Sequence, residues 1–282
     1  MRQRTVQCLG PHGLHRMAYT EWGDAANPRV LICVHGLTRN GRDFDFLAQA
    51  LSDRYRVVCP DVVGRGASDR LKVADDYHLP LYAGDMVTLI ARLDVEQVHW
   101  VGTSMGGLIG MALAAQENTP ITRLVLNDVG PLITASSIKR IGEYVGKAPT
   151  FASIEQAEVY IRFVAATFGA LTDAQWRHLT VHAVRPAAGG GYEMTYDPAI
   201  GEPFRKAMGD EDVSLWPLYD AVRVPTLLLR GAQSDLLLHE TALEMAQRGP
   251  QARLIEVPDV GHAPMLMDDF QIGAVRDFLL AG

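Results

Sequence analysis

The stretch VHWVGTSMGGLIGMALAAQ, residues 98–116, passes from a strand-like apolar run into a helical pattern through a serine flanked by glycines. Ser104 has Gly102 two positions before it and Gly106 two positions after it. A sharp turn from strand to helix at a serine crowds the backbone, so that glycine is needed on both sides. We therefore expect a nucleophile elbow, the turn that presents a reactive serine at the carboxyl end of a strand.

Apolar runs of strand length alternate with amphipathic segments of helix length on both sides of this stretch. The predicted strands are residues 29–35, 56–60, 97–103, 121–128, 224–231 and 253–257, preceded by a hairpin at 5–9 and 14–22. The predicted helices are residues 43–51, 81–93, 105–116, 240–248 and 269–280. This alternation predicts an α/β fold with a mostly parallel, doubly wound sheet.

Residues 132–216 interrupt the alternation and carry helical patterns instead. Ser153 with Gln156, and Thr172 with Gln175, have the spacing of capping boxes, which mark helix starts. We call residues 132–216 the lid segment and predict that they form a helical lid over a core made of residues 1–131 and 217–282. Some of its aromatic side chains are expected to line an apolar pocket, and others to attach it to the core.

Composition excludes several classes of function. The 282 residues carry a formal net charge of -7, so no basic surface for nucleic acid or anionic lipid is expected. Cys8, Cys33 and Cys59 lie apart in apolar stretches and are predicted to be buried, reduced thiols. No signal peptide or membrane span is recognisable, so we expect a cytoplasmic protein. The oligomeric state stays open.

A serine nucleophile needs a base and an acid that orients the base. Asp235 and His262 follow two successive predicted strands, and with Ser104 they give the chain order serine, aspartate, histidine. We therefore predict a Ser104, His262 and Asp235 triad. Asp128, at the end of an earlier strand, is the alternative acid; otherwise we expect it to fix the junction with the lid segment.

Two backbone amides should stabilise the oxyanion that forms during acyl transfer. One is Met105, directly after the serine, and the other is Leu37, in the loop that follows an earlier strand. His35 is expected to hold that loop by hydrogen bonds. Arg39 and Asn40, just beyond it, either contact a substrate carboxylate or acyl group or have a structural role.

Five motifs of the chain occur together in one enzyme superfamily. They are HGLTRN at 35–40, DVVGRGASD at 61–69, GTSMGG at 102–107, GAQSD at 231–235 and GHAP at 261–264. With them the chain resembles the serine α/β-hydrolase superfamily, and it is most similar to lid-bearing bacterial carboxylesterases. The resemblance implies the predicted triad and the two oxyanion amides. Haloalkane dehalogenases and epoxide hydrolases of this fold carry aspartate at the elbow, whereas this chain has Ser104.

These features predict a carboxylic ester hydrolase that acts on small to medium esters through an acyl-enzyme, with a small-molecule substrate and no cofactor. No metal is expected either, because His178 and His182 have Leu179 where a zinc protease needs glutamate. Two alternatives stay open: a lactone or carbon-carbon bond hydrolase of the same fold, and a ligand-sensing protein with slow turnover.

Overall fold

The computed structural model describes residues 1–207 and 209–281. The strands are β1 (Arg2–Gly10), β2 (Gly13–Trp22), β3 (Val30–Val34), β4 (Arg56–Pro60), β5 (Val98–Thr103), β6 (Ile121–Asn127), β7 (Leu132–Ile133), β8 (Thr150–Phe151), β9 (Val184–Pro186), β10 (Tyr192–Met194), β11 (Val213–Ser214), β12 (Thr226–Gly231) and β13 (Arg253–Val257). The helices are α1 (Asp45–Leu51), α2 (Leu79–Leu93), α3 (Met105–Ala114), α4 (Ala135–Gly142), α5 (Ile154–Val164), α6 (Asp173–Ala183), α7 (Gly201–Ala207), α8 (Trp216–Ala221), α9 (His239–Met245) and α10 (Asp269–Leu280).

Eight strands form the main sheet in the order β1-β2-β4-β3-β5-β6-β12-β13. The pairs β1 with β2 and β2 with β4 are antiparallel, and all the other pairs are parallel. The predicted mostly parallel α/β sheet with a leading hairpin is therefore confirmed. Its strand order places the carboxyl ends of β5, β6, β12 and β13 next to one another, so loops that follow these strands converge.

Helices cover both faces of this sheet, which makes it doubly wound. Strand β3 alternates: Val30 and Ile32 pack into the cluster that includes α2, α3 and α9, whereas Leu31 and Cys33 pack into the cluster with α1 and α10. Both faces are apolar because each is buried, and this is why the strands read as continuous runs of Val, Ile and Leu. Cys8, Cys33 and Cys59 are buried and free, as predicted.

The lid segment lies between β6 and β12, and its described residues add no strand to the main sheet. It contains α4 to α7 and the start of α8, but also two small sheets, one of β8, β10 and β9 and one of β11 and β7. Both predicted helix starts are present, since Ser153 and Thr172 cap α5 and α6. Trp176 of α6 lies in an apolar cluster with Met265 and Met267 of the core, which joins the two parts. None of the described helices is long and apolar enough to cross a membrane.

Candidate active site

Ser104 occupies a strained turn between β5 and α3. Its φ is 52° and its ψ is -116°, a conformation that side chains rarely adopt. A Cβ atom on Gly102 would collide with the carbonyl oxygen of Gly106, and one on Gly106 would collide with the carbonyl oxygen of Val34. The two glycines are thus required by backbone contacts, which agrees with the expected elbow.

His262 lies in the loop that follows β13, and this loop reaches Ser104 at the carboxyl edge of the sheet. Its Nε2 lies 3.1 Å from Ser104 Oγ, within hydrogen-bond distance for a base and its nucleophile. The carbonyl oxygen of His262 accepts from Thr167 Oγ1 at 2.7 Å, and the Gly261 amide donates to the Thr167 carbonyl at 2.7 Å. The lid segment therefore holds the loop that carries the histidine.

Asp128, not Asp235, is the carboxylate that contacts His262. The Nδ1 of His262 donates to Asp128 Oδ2 at 2.7 Å. Asp128 is fully buried, and it also accepts from the Gly231 amide at 2.8 Å and from Ser234 Oγ at 2.6 Å. These three donors fix both carboxylate oxygens of Asp128.

The prediction that Asp235 orients His262 is wrong. Asp235 turns away from the site, its side chain is 54% exposed, and it pairs with Arg140 of α4. Arg140 Nη2 donates to Asp235 Oδ1 at 2.9 Å. The loop after β12 does reach the site, but through the hydroxyl of Ser234, so its neighbour Asp235 faces solvent and the lid segment.

The Met105 amide lies at the first position of α3. The carbonyl of Ser104 accepts from the Gly107 and Leu108 amides at 2.9 and 3.1 Å, so it points along the helix. Because a trans peptide is planar, the Met105 N–H of the same peptide points the opposite way, out of the helix N-terminus. This is the orientation that an oxyanion donor needs.

The Leu37 amide is oriented by the same principle. The carbonyl of Gly36, in the same peptide as the Leu37 amide, accepts from His35 Nδ1 at 2.7 Å and from the Arg39 amide at 3.2 Å. A Cβ atom on Gly36 would lie 3.7 Å from the Cβ of Ser104, so this peptide lies against the serine. The Leu37 amide therefore lies beside Ser104, and the Met105 amide directly follows it in the chain.

His35 is the buried support of that loop. Its Nε2 accepts from the Val62 amide at 2.9 Å, which requires the proton to be on Nδ1, where it bonds the Gly36 carbonyl. Burial lowers the pKa of His35 to about 4, so the ring is neutral near pH 7. The geometry agrees with the expected structural role.

A cavity of about 470 Å³ opens beside Ser104 and His262. This volume is in the range of small-molecule sites. Its wall is shared between the core and the lid segment, and most of the side chains are apolar. They include Leu37, Phe44, Leu108, Val129, Ile133, Ile138, Ile141, Tyr144, Tyr160, Ile161, Val164, Phe168, Met194, Tyr196, Ile200, Pro203, Phe204, Leu236 and Met265.

Arg39 and Asn40 have different surroundings. Arg39 lines the cavity, and its Nε and Nη2 donate to the two carboxylate oxygens of Asp43 at 2.9 and 2.6 Å. Its Nη1 has no hydrogen-bond partner among the described residues. Asn40 is buried outside the cavity wall, where it accepts from the Arg42 amide and donates to the His182 carbonyl. Of its two predicted roles, the structural one fits.

Within residues 1–207 and 209–281, two groups of side chains could present ligands to a metal, and neither includes Ser104. In the group of Asp45, His178 and His182, the Arg42 guanidinium already pairs with the Asp45 carboxylate. In the group of Cys8, His15 and Asp85, burial raises the pKa of Cys8 to about 12, so the thiol stays protonated. Neither set of donors favours a cation.

Comparisons with known proteins agree with this fold. The family model of the α/β hydrolase fold matches residues 29–269. A 3-hydroxybutyrate-oligomer hydrolase of Cupriavidus necator is 52% identical over 280 residues, which cover 97% of this chain and 96% of that protein. The crystal structure of an α/β hydrolase from Novosphingobium aromaticivorans has a TM-score of 0.87 and 36% identity, and covers 99% of this chain and 97% of that one. An N-formylmaleamate deformylase of Pseudomonas putida is 27% identical over 275 residues, which cover 94% of this chain and 92% of that protein.

Proposed function

This chain belongs to the α/β-hydrolase family, and from that premise we propose that it cleaves carboxylic esters through an acyl-enzyme on Ser104. The observation that carries the proposal is the continuous hydrogen-bonded series from Asp128 through His262 to Ser104, with distances of 2.7 and 3.1 Å. This is the arrangement in which a histidine activates a serine while a buried carboxylate holds the ring.

Each group then has a role in the reaction. Ser104 Oγ attacks the ester carbonyl carbon while His262 Nε2 takes its proton, and Asp128 stabilises the imidazolium. The oxyanion of the tetrahedral intermediate accepts from the Leu37 and Met105 amides. Collapse breaks the ester bond, and His262 gives the proton to the leaving alcohol. Water then attacks the acyl-enzyme while His262 takes its proton. The bond between the acyl carbon and Ser104 Oγ breaks, His262 returns the proton to Oγ, and the acid is released.

We propose short oligomers of 3-hydroxybutyrate as the substrates. One support is the similarity to the 3-hydroxybutyrate-oligomer hydrolase of Cupriavidus necator. The other is the apolar cavity, whose limited volume suits short oligomers of methyl-bearing units. Such an oligomer ends in a free carboxylate, and Arg39 offers its unoccupied Nη1 from the cavity wall. The lid segment would act as the lid that encloses this small-molecule substrate.

Three free cysteines fit a reducing compartment, and we place the enzyme in the cytoplasm.

The proposal is tested by turnover of the 3-hydroxybutyrate dimer and trimer, p-nitrophenyl butyrate, a lactone and a vinylogous diketone. We expect repeated turnover of the esters, and a loss of about 10⁴ to 10⁶ in kcat for Ser104→Ala with unchanged melting. The control is Ser136→Ala, at an exposed serine of the lid segment, which should retain full activity.

Other results contradict the proposal in distinct ways. Near wild-type turnover by Ser104→Ala rules out the mechanism. Product release that stops after one equivalent favours the sensing protein. Preference for the lactone or the diketone favours those hydrolases instead.

The role of Arg39 is checked by Arg39→Met, which should raise KM about tenfold for the free-acid dimer but not for its methyl ester. Arg140→Met, at the other cavity-lining arginine, is its control.

A further inference from the structure

Arg65 is a fully buried cation beneath the two oxyanion residues. Its exposed fraction is 0%. Its Nε donates to the Leu37 carbonyl at 2.8 Å, and its Nη2 lies 3.6 Å from Met105 Sδ. Its Nη1 donates to the Val63 carbonyl at 2.7 Å and to the Tyr82 hydroxyl at 3.0 Å. Arg65 therefore touches both residues whose amides would bind the oxyanion.

No carboxylate among the described residues forms an ion pair with Arg65. Two other arginines do have such a partner: the buried Arg230 pairs with Glu256, and the partly buried Arg56 pairs with Glu21. A guanidinium remains protonated inside proteins, so a full positive charge is buried here without a neutralising anion. Carbonyl oxygens and the ring of Tyr82, 4.9 Å from the guanidinium carbon, offset only part of the desolvation.

An unpaired buried charge becomes favourable when an anion forms close to it. In the resting enzyme and in the bound ester, the oxyanion position holds no charge, whereas the tetrahedral intermediate places a full negative charge there. Because the surroundings are buried and of low dielectric, a nearby cation acts on that charge with little screening. Such an interaction lowers the barrier without strengthening ground-state binding.

We propose that Arg65 is a positioning residue of the oxyanion hole, which fixes the Leu37 segment through its carbonyl and stabilises the developing oxyanion by its charge. The inference rests on the proposed acyl transfer at Ser104. It places the arginine of the DVVGRGASD motif, residues 61–69, in the same site as the HGLTRN loop, residues 35–40. The two segments are joined through Arg65 Nε and the Leu37 carbonyl.

The test compares Arg65→Lys, which keeps a cation, with Arg65→Gln, which keeps a donor without the charge. For p-nitrophenyl butyrate we expect Arg65→Gln to lower kcat by about 10- to 100-fold with KM changed less than about twofold. Binding of a trifluoromethyl ketone that forms a hemiketal oxyanion should weaken by the same factor as kcat. Arg65→Lys should recover about tenfold or more of the lost kcat.

Arg56→Met is the control for removal of a partly buried, paired cation at the amino end of β4, and it should lower the melting temperature without lowering kcat. Equal kcat for Arg65→Lys and Arg65→Gln, or a loss that lies in KM, overturns the inference. If Arg65→Gln does not fold, Arg65→Met replaces it and ¹⁹F NMR of the ketone adduct decides: the hydroxyl should ionise at higher pH in Arg65→Met than in Arg65→Lys, and equal ionisation in the two variants overturns the proposal. An inactive wild type, by contrast, contradicts only the proposed function.

Discussion

Asp128 directly follows β6 and has a left-handed φ of 55°, and this backbone turn directs its carboxylate towards the loop of His262. Replacement by asparagine removes the negative charge and presents an amide to Nδ1, which favours the wrong tautomer of the ring. We expect Asp128→Asn to lower kcat by about 10⁴ with little change in KM. Steady-state kinetics on p-nitrophenyl butyrate measures this effect.

The matched control is Asp235→Asn, at the carboxylate that pairs with Arg140 on the surface. Exposed ion pairs contribute little to stability, and this one makes no contact with His262. The kcat of Asp235→Asn should stay within about twofold of wild type. A loss in this variant as large as that in Asp128→Asn would contradict the geometry.

His35 links the oxyanion loop to the pH dependence of stability. Burial lowers its pKa in the folded protein to about 4 from its usual 6.5, so the unfolded chain takes up a proton that the folded protein rejects. The stabilisation is present above pH 6.5 and is lost as the pH falls towards 4, by roughly 3 kcal/mol of unfolding free energy. The difference in unfolding free energy between wild type and His35→Gln should shrink over this range.

The difference in unfolding free energy between wild type and His35→Gln is the informative quantity, because other groups also titrate in this pH range. Burial raises the pKa of Asp61 to about 6, which makes the folded protein more stable as the pH falls. His99, whose pKa burial also lowers to about 4, gives the control. His99→Gln should show a similar pH effect with unchanged kcat, whereas His35→Gln should also lose kcat. A pH-independent difference for His35→Gln would refute this account.

The placement of Ser104 at a turn from strand to helix, and of His262 in a loop after a strand, could be predicted from the sequence. The turn needs glycine on both sides, and the loop follows an apolar run. The acid could not be predicted, because Asp128 and Asp235 both follow strands. What separates them is the backbone turn at Asp128 and the hydroxyl of Ser234, which donates to Asp128 Oδ2 at 2.6 Å. Arg65 was also missed, since burial of a charge leaves no local signal in the sequence.

At the scale of elements, the main sheet was predictable and the details of the lid segment were not. Long apolar strands have a clear period, whereas β7 (Leu132–Ile133) and β8 (Thr150–Phe151) have two residues each, too few for any period. Their pairing partners β11 and β10 lie far along the chain. Helix starts were recognisable because the side chains that cap them are local.

Thr167 provides a test of how the lid segment supports the catalytic loop. Thr167→Val keeps the shape of the side chain but removes the hydroxyl that donates to the His262 carbonyl at 2.7 Å. We expect kcat to fall about three- to tenfold and the unfolding free energy to fall by about 1 kcal/mol. Thr88→Val, which removes a bond to the Gly84 carbonyl on α2, is the control. Equal kcat in the two variants would mean that this contact does not position His262.

At the scale of the whole molecule, core and lid segment together enclose a cavity of about 470 Å³. A short oligomer can enter such a cavity, whereas a long or insoluble chain must bring its ester bond to Ser104, which is only partly exposed in the cavity wall. We expect kcat/KM to be highest for the 3-hydroxybutyrate dimer or trimer, and at least about tenfold lower for long chains, because their extra units lose contacts with the wall. Soluble oligomers of defined length, analysed by chromatography of the released acid, measure this preference.

Phe204 makes the length preference adjustable, because it lines the cavity from α7. Phe204→Ala should shift the preferred substrate to a longer oligomer, since removal of a ring extends the cavity. Phe163, 81% exposed on α5 and outside the wall, offers a control with the same substitution in the same lid segment. Phe163→Ala should leave the length profile unchanged. If wild type degrades a polymer film as fast as the dimer, or if both variants shift the profile equally, then the enclosed cavity does not set substrate length.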